Sequence, residues 1–187
     1  MMRFRDISTG TALEFVPLAD TKAYLRVDSS DEDSLIQELI EAAARQISAM
    51  TNTQIKAIEA YGYLEDFENA DFPVGPVTEV TKVEYKASGN TYTELPTSNY
   101  RLAINTHPAR IQFENAPSLD SDELERVRIS FKYGVGTTEH PRPETYALAC
   151  KMLVAHYYDN RSPVSTGPAP RPVPLHVEAL INPLRKL

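Results

Sequence analysis

The four histidines are the first side chains to consider for catalysis or metal binding, because a neutral imidazole both moves protons and binds metals. His107, His140, His156 and His176 are scattered along the chain and form no His-x-x-x-His pair. His156 lies in a strongly apolar stretch, where a core or interface histidine is expected. The spacing therefore predicts neither a zinc site nor a histidine-based catalytic centre.

A cluster of acids superficially resembles a calcium-binding loop. Asp28, Asp31, Glu32 and Asp33 lie close together, but a glycine for the sharp turn and a terminal bidentate glutamate are missing. Helix capping explains the acids better, with Ser30 as the N-cap residue and the negative charges beside the positive end of the helix dipole.

The remaining candidate groups also favour structural roles. Gly134 and Gly136 are only a fragment of a phosphate-binding loop, and we expect a turn there. Cys150 lies in an apolar stretch without a basic neighbour, which predicts an inert buried thiol. No Gly-x-Ser-x-Gly motif, Walker loop or pair of catalytic carboxylates is visible. We therefore predict that the chain is not an enzyme and uses no cofactor.

Two long helices are predicted at either end of a β-rich region. Over about residues 31–50, apolar residues recur at helical spacing, while Glu38, Glu41 and Arg45 lie on the other side, with Glu41 and Arg45 four apart in the favourable order. Pro17 opens a shorter helix before it. The second long helix, about 143–161, is apolar on almost every side. Such a helix is buried all round, which predicts a partner subunit over one face.

Between the helices the hydrophobic period changes from 3.6 to 2. Proline and glycine residues divide this region into about five or six antiparallel strands, forming a sandwich or a partly open barrel. The strands are expected at Ile55–Phe67, 81–85, Tyr92–Leu95, Tyr100–Ile104, 109–114 and 126–133.

Composition and charge limit the possible partners. The chain has 187 residues and a net charge of −7, which argues against sequence-independent DNA binding. No apolar run reaches the roughly 20 residues of a membrane span. With one cysteine and no signal-peptide pattern, we expect a soluble protein made in a reducing cytoplasm. Residues 141–187 differ from the acidic body, with six Lys/Arg against three Asp/Glu.

The last 25 residues contain six prolines and end in an apolar and basic segment. A stiff, proline-rich spacer that carries such an end is typical of a docking arm, although a frayed tail is the alternative.

Three passages resemble phage head–tail connector (adaptor) proteins, in particular the longer members with an inserted β domain. Residues 25–45 resemble their opening, with Leu25-Arg26-Val27-Asp28 before the long helix. Residues 76–85, 100–102 and 129–136 resemble the β insertion. Residues 155–161 resemble the end of their last helix, with Asp159 in place of the usual glutamate.

The resemblance implies an α+β fold in which the long N-terminal helix packs on the C-terminal helix. Residues 17–53 and 137–162 then form the helical core, residues 54–136 the inserted antiparallel β domain, and residues 163–187 an extended C-terminal docking arm. It also implies a virion protein, assembled in the host cytoplasm, that forms a dodecameric ring in the neck beneath the portal.

The partners that follow are the portal protein, a tail-side stopper or terminator protein and further copies of the chain, with DNA passing through the ring without sequence-specific binding. We expect subunit contacts at Leu148, Met152, Tyr158, Glu38, Glu41 and Arg45. We expect portal contacts at Arg171, Leu175, Val177, Leu180, Ile181, Leu184, Arg185 and Lys186.

Two alternatives remain open. One is a tail-completion or DNA-packaging accessory protein, which would bind terminase or the tail tube. The other is a ligand-binding β module, which would present an aromatic patch formed by Tyr61, Tyr63, Tyr85 or Tyr92.

Overall fold

The fold consists of two compact units, one built of strands and one of helices. A computed structural model describes residues 2–9, 12–106, 108–135, 143–160 and 174–185. The β unit comprises residues 1–9 and 57–139, and the helical unit comprises residues 10–56 and 140–187. The predicted α+β class is confirmed.

The helical unit contains five helices among its described residues. They are α1 (Ala12–Phe15), α2 (Leu18–Leu25), α3 (Asp33–Thr51), α4 (Pro143–Asp159) and α5 (Leu175–Ile181), and a 3-10 turn follows at Asn182–Leu184. Helix α3 packs on α4 as predicted, and α5 contacts both of them.

Helix α3 follows its apolar stripe. Ile36, Ile40 and Ile47 are fully buried with the small alanines between them. The helix ends at Asn52, which adopts the left-handed conformation at φ 49° and donates its N–H to the Ser48 carbonyl. The prediction of Ser30 as the N-cap is wrong. The helix begins at Asp33, and Ser30 only accepts the Asp33 N–H through its backbone carbonyl, at 3.2 Å.

Helix α4 is buried on one side only within the described chain. The side chains of Tyr146, Cys150 and Leu153 are fully buried, and Leu148 is 41% exposed. The uncovered side is therefore the one for which the sequence predicted a partner subunit.

The β unit contains eight described strands, more than the five or six predicted. They are β1 (Arg3–Thr9), β2 (Ile58–Leu64), β3 (Ala70–Asp71), β4 (Val77–Lys86), β5 (Tyr92–Glu94), β6 (Tyr100–Ala103), β7 (Arg110–Phe113) and β8 (Val127–Tyr133). All pairings are antiparallel, and they form a five-stranded sheet in the order β1-β2-β8-β4-β5 and a three-stranded sheet in the order β3-β7-β6.

Both sheets contribute to one apolar core. Along β8 every second residue is buried, as its alternation predicts. Phe131 from this strand meets Phe72 edge to face, with ring centroids 4.9 Å apart. The outer face of the five-stranded sheet, by contrast, carries charged residues and tyrosines.

Strand β1 is the element that the sequence interpretation missed, since residues 1–16 show no clear period. Its partner strand, β2, includes Gly62, which lies opposite Phe4. A Cβ at Gly62 would lie 2.7 Å from the Met2 sulfur, so the glycine leaves room for the buried Met2 side chain in its present position.

The C-terminal segment also differs from its prediction. An extended arm was expected over residues 163–187, but residues 175–184 form α5 and the 3-10 turn. Val177 and Ile181 lie one helical turn apart and are both fully buried, which explains why this segment folds as a helix against its neighbours. Residues 161–173 and 186–187 lie outside the described residues.

Candidate functional site

The predicted subunit-contact residues of α4 divide between two sides of the helix. Leu148 and the half-buried Met152 lie one turn apart on the same side. Tyr158 lies elsewhere, because its hydroxyl donates a hydrogen bond to the Glu32 carboxylate just before α3. Tyr158 therefore connects the two main helices of its own unit.

The three predicted residues of α3 also have different environments. Glu38 and Arg45 are exposed, whereas Glu41 is half-buried. The Glu41 carboxylate pairs with Lys56 Nζ at 2.6 Å and accepts the Ala12 N–H at 2.7 Å. Glu41 thus joins α1 and the segment after α3 to the helix. The sequence could not reveal this, because both partners lie far from Glu41 along the chain.

The pKa of Glu41 reflects these contacts. Burial acts to raise it, but the hydrogen bonds from Lys56 and Ala12, and the charges of Lys56 and Arg45, outweigh that effect and lower the pKa. Glu41 is therefore held ionised in the folded helical unit.

The acids before α3 have local partners. Asp33 accepts a hydrogen bond from Lys22 Nζ at 2.5 Å, and Asp31 accepts one from the Ser29 hydroxyl at 2.6 Å. Across the described residues, no group of three or more His, Cys, Asp or Glu side chains has a geometry that could hold a metal ion.

The predicted portal-docking residues fall into three groups. Leu175, which is 60% exposed, and Arg185 are accessible, and Leu180 and Leu184 are partly so. Val177 and Ile181 are buried and hold α5 in the helical unit. Arg171 and Lys186 lie outside the described residues.

A groove of about 330 Å³ lies within the helical unit beside the start of α5. Tyr24, Met152, His156 and His176 are among the residues that line it. Tyr24 is 45% exposed, so the groove continues the uncovered side of α4 with further apolar and aromatic surface.

The structure brings three of the four candidate ligand-binding tyrosines together on the outer face of the five-stranded sheet. The Arg128 guanidinium lies over the rings of Tyr61 and Tyr92, 4.9 and 4.0 Å from their centroids, and Tyr63 is directly opposite Arg128 on β2. Tyr85 instead packs against Phe67. The rings of Tyr61 and Tyr92 are thus already covered by the Arg128 side chain of the same protein.

Glu84 is the acid at the centre of this outer face. Its side chain is 7% exposed and pairs with Arg128 at 2.7 Å and with Lys82 at 2.7 Å. Burial acts to raise the pKa of Glu84, but the hydrogen bonds and charges of Lys82 and Arg128 outweigh it and lower the pKa. The sequence analysis did not identify Glu84, whose only signal is its position in an alternating strand.

Cys150 is fully buried in α4, and burial raises the pKa of its thiol to about 12. The thiol is therefore buried as predicted, and its raised pKa disfavours the reactive thiolate. None of the described helices combines the length and apolar character needed to cross a membrane.

An uncovered apolar helix side such as that of α4 is typical of a surface that binds another protein. A family model for head completion proteins matches residues 14–187, and the chain belongs to that family. A search of curated proteins finds no match.

The same fold occurs in solved structures of gene transfer agent (GTA) particles. A chain in "Neck of empty GTA particle computed with C6 symmetry" has 21% identity and a TM-score of 0.69, covering 99% of this chain and 96% of that one. A chain in "Neck of native GTA particle computed with C12 symmetry" has 21% identity and a TM-score of 0.67, covering 99% and 96%.

Family membership confirms the resemblance to head–tail connector proteins noted from the sequence. The protein is therefore a head completion protein by family, and it shares its fold with chains of gene transfer agent neck and virion structures.

Proposed function

We propose that copies of this protein form a ring beneath the portal and connect the DNA-filled head to the tail. The family description supports a role in completing the head. The neck structures that share the fold were computed with six-fold and twelve-fold symmetry, which supports a cyclic assembly. The proposed partners are the portal protein, a tail-side stopper or terminator protein and neighbouring copies.

The subunit contact that we propose uses the uncovered side of α4. The exposed Leu148 beside Met152, on a helix whose other side is buried, is the observation that carries this proposal. We place these residues against the outer side of a neighbouring α3, where Glu38 and Arg45 are exposed. Glu41 and Tyr158 support this contact indirectly. Their hydrogen bonds hold α3 and α4 in the positions from which the two helices contact neighbouring copies.

The portal contact that we propose uses the C-terminal segment. Leu175, Leu184 and Arg185 form its accessible apolar and basic surface, while Val177 and Ile181 anchor α5. A single segment of this size binds weakly, but a ring presents many of them at once, and such multivalent binding raises the overall affinity by several orders of magnitude. The acidic body suits a channel through which DNA slides without specific contacts.

The mass of purified portal rings, with and without an excess of this protein, tests the proposal. Native mass spectrometry should show a gain of about twelve subunit masses, as a twelve-fold ring requires. Leu148→Asp should reduce the gain, whereas Leu124→Asp, at a 75% exposed position in the β unit, should not.

The C-terminal contact is tested in the same assay. Leu175→Asp and truncation after Asn160 should abolish binding to the portal, and circular dichroism should show that the Leu175→Asp variant remains folded. If the wild-type protein adds no mass to the portal ring, the proposed connector role is wrong, and terminase and tail-tube binding become the measurements to make.

A further inference from the structure

The free edge of β1 is an unusually open part of the β unit. Among the described residues β1 pairs only with β2, so one side of its backbone has no strand beside it. Residues 3–7 are all exposed, including Phe4 at 40% and Ile7 at 46%. A free edge is a template for another strand, and proteins usually protect it with charged residues, proline, a bulge or a covering element. Strand β1 has its bulge only after Asp6, and its regular part carries the charges of Arg3, Arg5 and Asp6 but no lysine or proline. Its regular part therefore favours a partner strand of complementary charge.

A single row of side chains crosses the outer face of the five-stranded sheet from this edge to the other. Directly opposite partners on successive strands are Arg3, Tyr63, Arg128, Glu84 and Glu94. Residues directly opposite each other share a face of a sheet. The row therefore begins with a cation at the β1 edge and ends with an anion at the β5 edge.

The two ends of the row are accessible to another molecule. The side chains of Arg3 and Glu94 are 64% and 67% exposed. Arg3 forms an exposed ion pair with Glu65, and Glu94 lies 3.8 Å from Lys82. Exposed ion pairs contribute little to stability, so both side chains can also face a charge on another molecule. Because the sheet has opposite charges at its two edges, one copy complements the next.

We infer that β5 of one copy pairs with β1 of the next, so that the sheets of neighbouring copies continue one another, with Glu94 opposite Arg3. Five antiparallel strands alternate in direction, so β1 and β5 run the same way. Neighbours related by the small rotation of a large ring therefore pair these edges in parallel. The three residues of β5 fit within the regular part of β1, Arg3–Asp6, which precedes its bulge.

The same charges disfavour the alternative pairing of identical edges. Two β1 strands related by a two-fold axis and paired over residues 3–5 would place an arginine opposite an arginine. Two β5 strands paired over their three residues would place Glu94 opposite Tyr92, which gains no ion pair. Like charges directly opposite each other destabilise a strand pair. A heterologous contact of β5 with β1 avoids this and is the kind of contact that closes rings. The inference thus rests on the proposed ring and adds a second contact to it.

Disulfide trapping between copies tests the pairing. In Arg3→Cys/Glu94→Cys, the two thiols of one chain are about 19 Å apart across four strand spacings, too far for an intramolecular bond. Mild oxidation of portal-bound protein should therefore give a ladder of linked chains on a non-reducing gel. Cys150 is buried and stays out of the reaction. Arg5→Cys/Glu94→Cys tests a register shifted by two residues.

One control variant and three possible results distinguish the proposed strand pairing from its alternatives. Ser130→Cys/Glu94→Cys has one thiol on the central strand β8 and should give no ladder. Dimers formed by Arg3→Cys alone would show that two β1 edges meet, and would overturn the inference. A normal gain in portal-ring mass without a ladder in either double variant would also overturn it, but leave the proposed function intact. If the portal ring gains no mass and no ladder forms, both the inference and the proposed function are overturned.

Charge reversal provides a second readout without cysteines. Arg3→Glu and Glu94→Arg should each raise the protein concentration needed for half-maximal assembly about two- to fivefold, the effect of one cross-strand ion pair. Arg3→Glu/Glu94→Arg restores the opposite charges and should recover most of the loss. If the double variant is as impaired as the sum of the single variants, the edges do not pair.

Discussion

The β unit and the helical unit satisfy their polar groups in different ways. On the outer face of the β unit, Glu84 is shared by Lys82 and Arg128, and the Arg128 guanidinium is stacked on Tyr61 and Tyr92. The helical unit relies on apolar packing of α3 against α4. Its half-buried acid Glu41 is ion-paired with Lys56. The comparison predicts that changes of charge act mainly on the β unit, whereas loss of apolar volume acts on both.

The two units also differ in where they remain open to partners. The outer sheet face of the β unit is covered by its own side chains, and the part accessible to a partner is the edge strand β1. In the helical unit an entire helix side is uncovered, at Leu148 and Met152. We therefore expect contacts by strand addition in one unit and by side-chain packing in the other.

The largest expected effect is loss of core volume. Phe131→Ala in the β unit should lower the free energy of unfolding by about 3–5 kcal/mol, and Leu153→Ala in the helical unit by about 2–5 kcal/mol, because each leaves a cavity in a buried cluster. Urea denaturation followed by tyrosine circular dichroism measures this. Ser130→Ala, on the outer face of β8, is the matched control and should change little. A single transition moved equally by both core variants would show that the units unfold together.

A smaller effect is expected from the central acid of the β unit. Glu84→Gln should lower the free energy of unfolding by about 2 kcal/mol, because it leaves Arg128 without its carboxylate partner. Glu79→Gln, whose pair with Lys132 is exposed, should have a much smaller effect. Equal losses from the two variants would contradict the special role of Glu84.

The same variant has a defined dependence on pH. Since the folded-state pKa of Glu84 is lowered, its contribution is present above the ordinary value of 4.5 and is lost as the pH falls through the folded pKa. Wild-type stability should therefore decline more steeply below pH 4.5 than that of Glu84→Gln. Glu41 contributes with the same sign in the helical unit, so some decline should remain in the variant.

The smallest effect concerns the reactivity of Cys150 rather than stability. Because Cys150 lies in α4, its labelling reports the unfolding of the helical unit alone. Cys150 should not react with a thiol reagent at pH 8, because burial raises its pKa and blocks access. Labelling during a urea titration should begin only when the helical unit opens, and should move to lower urea in Leu153→Ala. Rapid labelling of the native wild-type protein would contradict the packing of α4.

Local patterns were sufficient for the elements with strong periodicity. The spacing of apolar residues predicted α3 and α4, and strict alternation predicted β7 and β8. Alternation failed for β1, because residues 3–7 of this edge strand are exposed on both faces and its place is set by pairing with β2, which is distant in sequence. The helix α5 was missed because prolines beside it suggested an extended arm, whereas burial of Val177 and Ile181 stabilises a helix.

The residues of the candidate site show the same difference between what local patterns predict and what distant contacts decide. The sequence singled out Leu148 and Met152 from the excess of apolar residues on α4. Leu148 is exposed and Met152 half-buried, and their contact with another subunit stays a prediction. It grouped Glu41 with exposed residues, because a helical pattern does not show that Lys56 and Ala12 come to meet it.

The sequence alone determined the α+β class, the two long helices, the burial of Cys150 and the resemblance to head–tail connectors. These depend on residue type and on spacing within one element, and both are readable along the chain. The tertiary structure decided the row from Arg3 to Glu94, the stacking of Arg128 and the anchoring of α5. Each of these depends on which strands or helices become neighbours, and neighbours are selected by burial of the whole core rather than by any local stretch.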